Sequence, residues 1–158
     1  MSYFLCRFVP LLVAVALVAC AAPTAERSMI DRGRYLVKIS GCNDCHTEGF
    51  MDSSGTIPER EWLKGSQRGW HNESGTTYAT NLRLLISQLS EQQWVRKARS
   101  MRTKAPMAWY RLMEITDDDL IAMHRYISSL GAAGSPAPAA LPAGVKPPEP
   151  YIYFPNAH

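Results

Sequence analysis

The tightest constraint in this chain is a pair of cysteines three positions apart with a histidine directly behind them, Cys42-Asn43-Asp44-Cys45-His46. Any fold that uses this run must present two thiols and one imidazole to the same object. The spacing is that of covalent c-type haem attachment: each thiol forms a thioether with one haem vinyl group, and the next residue then lies beneath the iron as its proximal ligand. Rival readings explain less. A thioredoxin-like pair opens a helix after a strand, whereas here a helical pattern precedes Cys42. A structural zinc site needs further ligands, and the other two cysteines, Cys6 and Cys20, both fall in an apolar leader. A disulfide across two residues accounts for neither His46 nor the long irregular stretch that follows it.

The leader sets the compartment. From Phe8 to Ala22 the chain reads FVPLLVAVALVACAA, fifteen residues without a charge behind a single Arg7. A membrane span needs roughly 20 apolar residues, so this length matches the h-region of an export signal, and residues 1–20 read as a signal peptide. Leu17-Val18-Ala19-Cys20 resembles the lipobox of bacterial lipoproteins, which makes Cys20 a candidate lipid anchor to a membrane. Cleavage at a nearby small residue would instead release a soluble periplasmic protein. Seventeen Lys and Arg against fourteen Asp and Glu give a formal charge of +3, too mild and too mixed with acids for a nucleic-acid binder.

Behind the leader, residues 25–131 have the composition of one small globular domain, and 132–158 form a tail. Seven of the eleven prolines lie from Pro136 to Pro155, so the tail is expected to run extended, as a linker or as a strap. Its aromatic end, Tyr151-Ile152-Tyr153-Phe154, is poorly suited to water and would pack on the domain or on a partner. Three helices are legible. The first, Glu26 to Ser40, puts Met29, Ile30, Gly33, Leu36 and Val37 on one face. The second opens with the capping box Ser90-Glu91-Gln92-Gln93 and buries Trp94, Val95, Ala98 and Met101. The third opens with Thr116-Asp117-Asp118-Asp119, another capping box with acids at the positive end of the helix dipole. Its apolar stripe is Leu120, Ile121, His124, Ile127 and Leu130, closed by Gly131. Roughly fifty residues between the first two helices show no strand-like alternation, far longer than a usual connection. A buried porphyrin would give that stretch an apolar surface to wrap, with Trp62, Trp70, Tyr78 and Leu82 as the wall.

A second axial ligand must come from the far side of the iron, and methionine is the usual choice in an electron carrier. Met51 is too close to His46 to cross the ring, Met113 and Met123 belong to the last helix region, and Met101 ends the second helix. Met107, in the non-helical run Ala105-Pro106-Met107-Ala108-Trp109, is the favoured ligand, with Met101 second. His71 and His124 are conceivable ligands, although a lone histidine is more often surface or satisfied core.

Together these residues resemble a class I c-type cytochrome of the small monohaem bacterial kind. The resemblance covers residues 31–131 and rests on Arg32-Gly33-Arg34-Tyr35-Leu36, the Cys42–His46 motif, Tyr78-Ala79-Thr80-Asn81-Leu82, Trp94 with Arg99, Pro106-Met107-Ala108-Trp109 and the last helix. Ala108 and Arg83-Leu84-Leu85 depart from the family, which often has a second proline and Thr-Pro-Asp there. It implies an all-α fold of three main helices and long loops around one covalent haem c, with Gly33 against Tyr126 where the first and last helices cross. It also implies a one-electron carrier rather than an enzyme. The run from Arg96 to Arg111 holds six basic residues and no acid, a surface suited to an acidic redox partner. Two alternatives stay open at this point: a haem subunit docked to a dehydrogenase or oxidase, and an open-site peroxidase or sensor if Met107 is not bound to iron.

Overall fold

The computed structural model describes residues 25–155. The leader, and with it the lipid-anchor expectation for Cys20, lies outside the described residues. Helix α1 spans 25–39 and buries Gly33, Leu36 and Val37, with Met29 and Ile30 packed at the margin of the core. It crosses the last helix, α6 (Asp117–Ser129), with no room to spare. A Cβ on Gly33 would stand 1.9 Å from the Ala122 carbonyl oxygen and 2.8 Å from the Tyr126 Cβ. Glycine in a helix interior is destabilising by about 1 kcal/mol, and only such an approach makes it useful. The contact expected between Gly33 and Tyr126 is therefore present. Arg32 ties the same crossing from outside with a fork on Asp119, at 2.8 and 2.9 Å.

Helix α4 (Glu91–Ser100) starts with the expected capping box: Gln93 N–H donates to Ser90 Oγ at 3.3 Å, and Ser90 N–H donates to Gln93 Oε1 at 2.8 Å. Its Trp94 lies in the core and donates its indole N–H to the Leu120 carbonyl at 2.9 Å, which locks α4 onto α6. At the start of α6 Thr116 Oγ1 accepts from Asp119 N–H, while the Asp119 carboxylate goes to Arg32. The apolar stripe expected for α6 is too narrow. Ala122, Met123 and Tyr126 are buried along with Leu120, His124 and Ile127, because α1, α3 (Leu82–Ile86) and α4 surround the helix. Two short helices, α2 (Cys42–His46) and α5 (Trp109–Leu112), and a 3-10 turn at Glu59–Glu61 complete the helical part.

The all-α expectation is wrong. Inside the stretch that shows no alternation, β1 (Gly69–Asn72) and β2 (Gly75–Tyr78) form an antiparallel hairpin with Gly69 opposite Tyr78 and Asn72 opposite Gly75. A third strand, β3 (Tyr151–Tyr153), lies parallel to β1 with Gly69 beside Tyr151, so the sheet order is β2-β1-β3. Four-residue strands are too short to display a period of two, and β1 has both of its middle residues half-buried. The turn signal was local and legible in principle: the Asn72 side chain accepts from Ser74 N–H at 2.9 Å, an Asx turn. The partner of β1 arrives from some eighty residues downstream, which no local pattern encodes.

The tail is a strap. It leaves α6 at Gly131, whose φ of 71° turns the chain, and pairs Leu141 with Thr76 through two backbone hydrogen bonds of 2.9 Å. It ends with Gly69 N–H on the Pro150 carbonyl and the Phe154 ring edge-on to Trp70 at 6.1 Å. Among the described residues no helix is long and apolar enough to cross a membrane.

Candidate functional site

The chain turns at Gly41 from α1 into α2, which places Cys42, Cys45 and His46 on five consecutive residues. Both cysteines are half-buried and free. Burial first, and then the Asp44 carboxylate, push the Cys42 thiol up to about 12, and the same causes raise Cys45.

His46 is 9% exposed and Asn43 1%. The imidazole Nδ1 lies 2.7 Å from the Thr80 carbonyl oxygen. A carbonyl only accepts, so Nδ1 carries the proton and Nε2 keeps the free lone pair. Burial depresses the imidazole below its ordinary range, against the opposing effect of the Thr80 bond, and so favours the neutral ring. This is the arrangement a metal-binding histidine needs, with one nitrogen donating outward and the other available. Among the described residues no three His, Cys, Asp or Glu side chains converge to hold one ion directly. Cys42, Cys45 and His46 are the residues that could hold a cofactor here, through two sulfurs and one nitrogen. Within the same short helix, Asn43 Nδ2 is buried without a hydrogen-bond partner.

Behind His46 the backbone is locked by two segments. Gly65 N–H donates to the His46 carbonyl at 2.8 Å, and Thr47 forms a bridge with Gly65. Gly65 sits at φ 82°, and a Cβ there would come within 2.9 Å of the Ala79 carbonyl oxygen and the Asn81 amide. Glycine thus lets the 79–81 segment reach the histidine. Thr47 Oγ1 adds to the lock, donating to Asn43 Oδ1 at 2.7 Å and accepting from Leu63 N–H at 2.8 Å. Sequence reasoning missed Thr80 because the group that acts is a backbone oxygen, which no side chain announces. The signal nearest to it is Asn81, the N-cap of α3, which fixes where the segment turns.

The remaining expected residues are scattered. Met107 and Met101 are both half-buried against the core, Met51 and Met113 are exposed, and Met123 is core. Trp62 is plain core: its N–H donates to the Ile57 carbonyl, Phe50 meets its ring edge-on, and the Arg34 guanidinium lies over it at 5.6 Å. Tyr78 and Leu82 are half-buried. Trp70 is the more informative wall residue, because it lines a small cleft with Cys45 and Met51 and also a cavity of about 200 Å³ with Lys104 and Ala105. Neither of these cavities is lined by His46 or Met107. His71 bonds Thr76 Oγ1 at 2.8 Å, and His124 donates from Nε2 to the Leu89 carbonyl at 2.7 Å while its buried Nδ1 has no hydrogen-bond partner; both lie far along the chain from the Cys42–His46 run.

The basic run divides in two. Arg99 is spent inside the fold, donating to the Leu112, Met113 and Ile115 carbonyls and pairing with Asp117. Arg96, Lys97, Arg102, Lys104 and Arg111 remain exposed, with the Arg102 guanidinium 4.4 Å above the Trp109 ring. Comparison of the chain with family models, with curated proteins and with solved structures finds no match.

Proposed function

We propose that this protein carries single electrons in the bacterial periplasm through one haem c, with thioethers at Cys42 and Cys45, His46 as the proximal iron ligand and Met107 as the second. The observation that carries the reading is the His46 ring: its Nδ1 proton is committed to Thr80 and its Nε2 is free, next to two unpaired thiols at attachment spacing. When bound, the haem supplies reversible one-electron chemistry. The chain's part would be to hold the His46 imidazole neutral and oriented, to keep water from it by burial, and to offer the Met107 thioether sulfur as a second iron ligand, which would raise the potential. If His46 and Met107 both held the iron, oxygen and peroxide would find no open site, which is the reason for reading the protein as a carrier rather than a catalyst. The exposed cations from Arg96 to Arg111 suit an acidic redox partner, and acylated Cys20 would hold the carrier at a membrane.

Mass spectrometry of the mature protein tests the core of this reading. One haem mass on the peptide containing residues 42–46 is expected; colourless protein with both thiols free overturns it. A weak band at the red end of the ferric spectrum reports Met–iron bonding. Met107→Ala should abolish that band while Met101→Ala keeps it, and the reverse result transfers the ligand role to Met101.

A further inference from the structure

We propose that Asn81 is a positioning residue that couples the root of the C-terminal tail to the proximal histidine; the inference rests on the haem reading for its consequence, though not for its geometry. Asn81 is 2% exposed and is committed on both sides of its amide. Its Oδ1 accepts from Leu84 N–H at 3.0 Å and caps α3, while its Nδ2 donates to the Ala133 carbonyl at 2.8 Å and the Ser135 carbonyl at 3.1 Å. Two residues on, Arg83 is also buried and donates to the Gly131, Leu130 and Arg60 carbonyls. The tail between 130 and 135 is thus held by the side chains of Asn81 and Arg83, which take four of its carbonyls.

The residue next to Asn81 is Thr80, whose carbonyl takes the His46 proton. Leu82 and Arg83 donate their amides to the Leu63 carbonyl at 2.9 and 3.3 Å, which pins the α3 side of this carbonyl. On the other side Ser66 N–H holds the Ala79 carbonyl at 3.2 Å. The Thr80 carbonyl therefore hangs between two fixed points, and Asn81 is where the tail root pulls on one of them. The tail side is equally tight: Gly134 sits at φ 78°, and a Cβ there would be 3.1 Å from Asn81 Nδ2 and 3.4 Å from Lys64 Cβ. A partner that peels the strap would loosen the Thr80 carbonyl, weaken the Nδ1–H bond and make the imidazole a poorer donor, which raises the iron's potential.

Two substitutions keep the helix cap and remove the tail bonds, because serine and aspartate are both good N-caps: Asn81→Ser and Asn81→Asp. Gly134→Ala disturbs the same contact from the tail with Asn81 itself unsubstituted, on an exposed residue, and decides the matter if the Asn81 variants do not fold. The readout is the solvent exchange of the His46 Nδ1 proton, followed by 1H–15N NMR on the reduced full chain, together with the midpoint potential. About tenfold faster exchange and a higher potential are expected in all three variants. Wild-type exchange and potential in the variants that fold would overturn the proposal and leave the haem reading intact. If the protein is colourless, the haem reading fails on its own, and the ratio of Nδ1–H to Nε2–H tautomers in the same spectrum still tests the coupling: a wild-type ratio in the variants rejects it.

Discussion

At the scale of single residues, Gly33 and Glu59 each hold a position that chemistry leaves little freedom to change. Gly33→Ala gains helix propensity but drives a Cβ into the Ala122 carbonyl, a backbone atom that cannot rotate away. The crossing must open, and a loss of about 3 kcal/mol or more is expected from a denaturant midpoint. Glu59 accepts a fork from Arg34, with contacts of 2.8 to 3.0 Å, and the Tyr126 hydroxyl at 2.8 Å. The Arg34 bonds hold its carboxyl below the usual glutamate range, with Tyr126 helping. The folded state therefore binds its proton less readily than the unfolded chain. That share of stability is fully present above the ordinary glutamate value of about 4.3 and is lost as pH falls through the lower folded value. Glu59→Gln should be less stable than wild type at neutral pH, and the gap should close on acidification; urea unfolding at several pH values checks this, and a constant gap would reject it. The Tyr126 hydroxyl is raised by burial and by Glu59, so its share runs the other way, present below the ordinary tyrosine value and lost as pH rises.

At the scale of elements, the ends of the helices are decided by caps and their faces by neighbours. The Ser90 box satisfies two backbone N–H donors at once with side-chain acceptors. Ser90→Ala removes the hydroxyl that accepts from Gln93 N–H, and a loss of about 1 kcal/mol in thermal unfolding is expected. Caps of this kind were legible because three or four adjacent residues contain both partners. The hairpin was not legible, because its strands are shorter than the window over which periodicity can be counted, and its third strand is supplied by a proline-rich segment. Even so, Tyr151-Ile152-Tyr153 has the aromatic and β-branched composition that suits a pleated edge.

At the scale of the whole molecule, the tail changes what the surface offers. By adding β3 to β1 it protects one edge of the hairpin, and by seating Phe154 on Trp70 it covers the aromatic that lines the Cys45 cleft. The cations of the 96–111 segment stay outside this cover. With the carrier function proposed above, Arg102→Glu combined with Lys104→Glu should slow electron transfer to an acidic partner by roughly tenfold at low ionic strength. The difference should fade as the Debye length falls below about 10 Å. Stopped-flow kinetics across a salt series checks it, and equal rates at low salt would remove the steering surface.

What the sequence determined by itself was everything written within a few neighbouring residues. The thiol pair with its histidine, the helix starts at Ser90 and Thr116 and the turn at Gly131 all belong to that class. Each depends on groups that the chain places side by side or one helical turn apart. The tertiary structure alone decided which carbonyl receives the His46 proton, that Arg99 is consumed within the fold, and that the last strand of the sheet comes from the tail. Those outcomes depend on backbone atoms and on contacts between distant segments, and backbone atoms are the same in every residue, so the order of side chains cannot announce them.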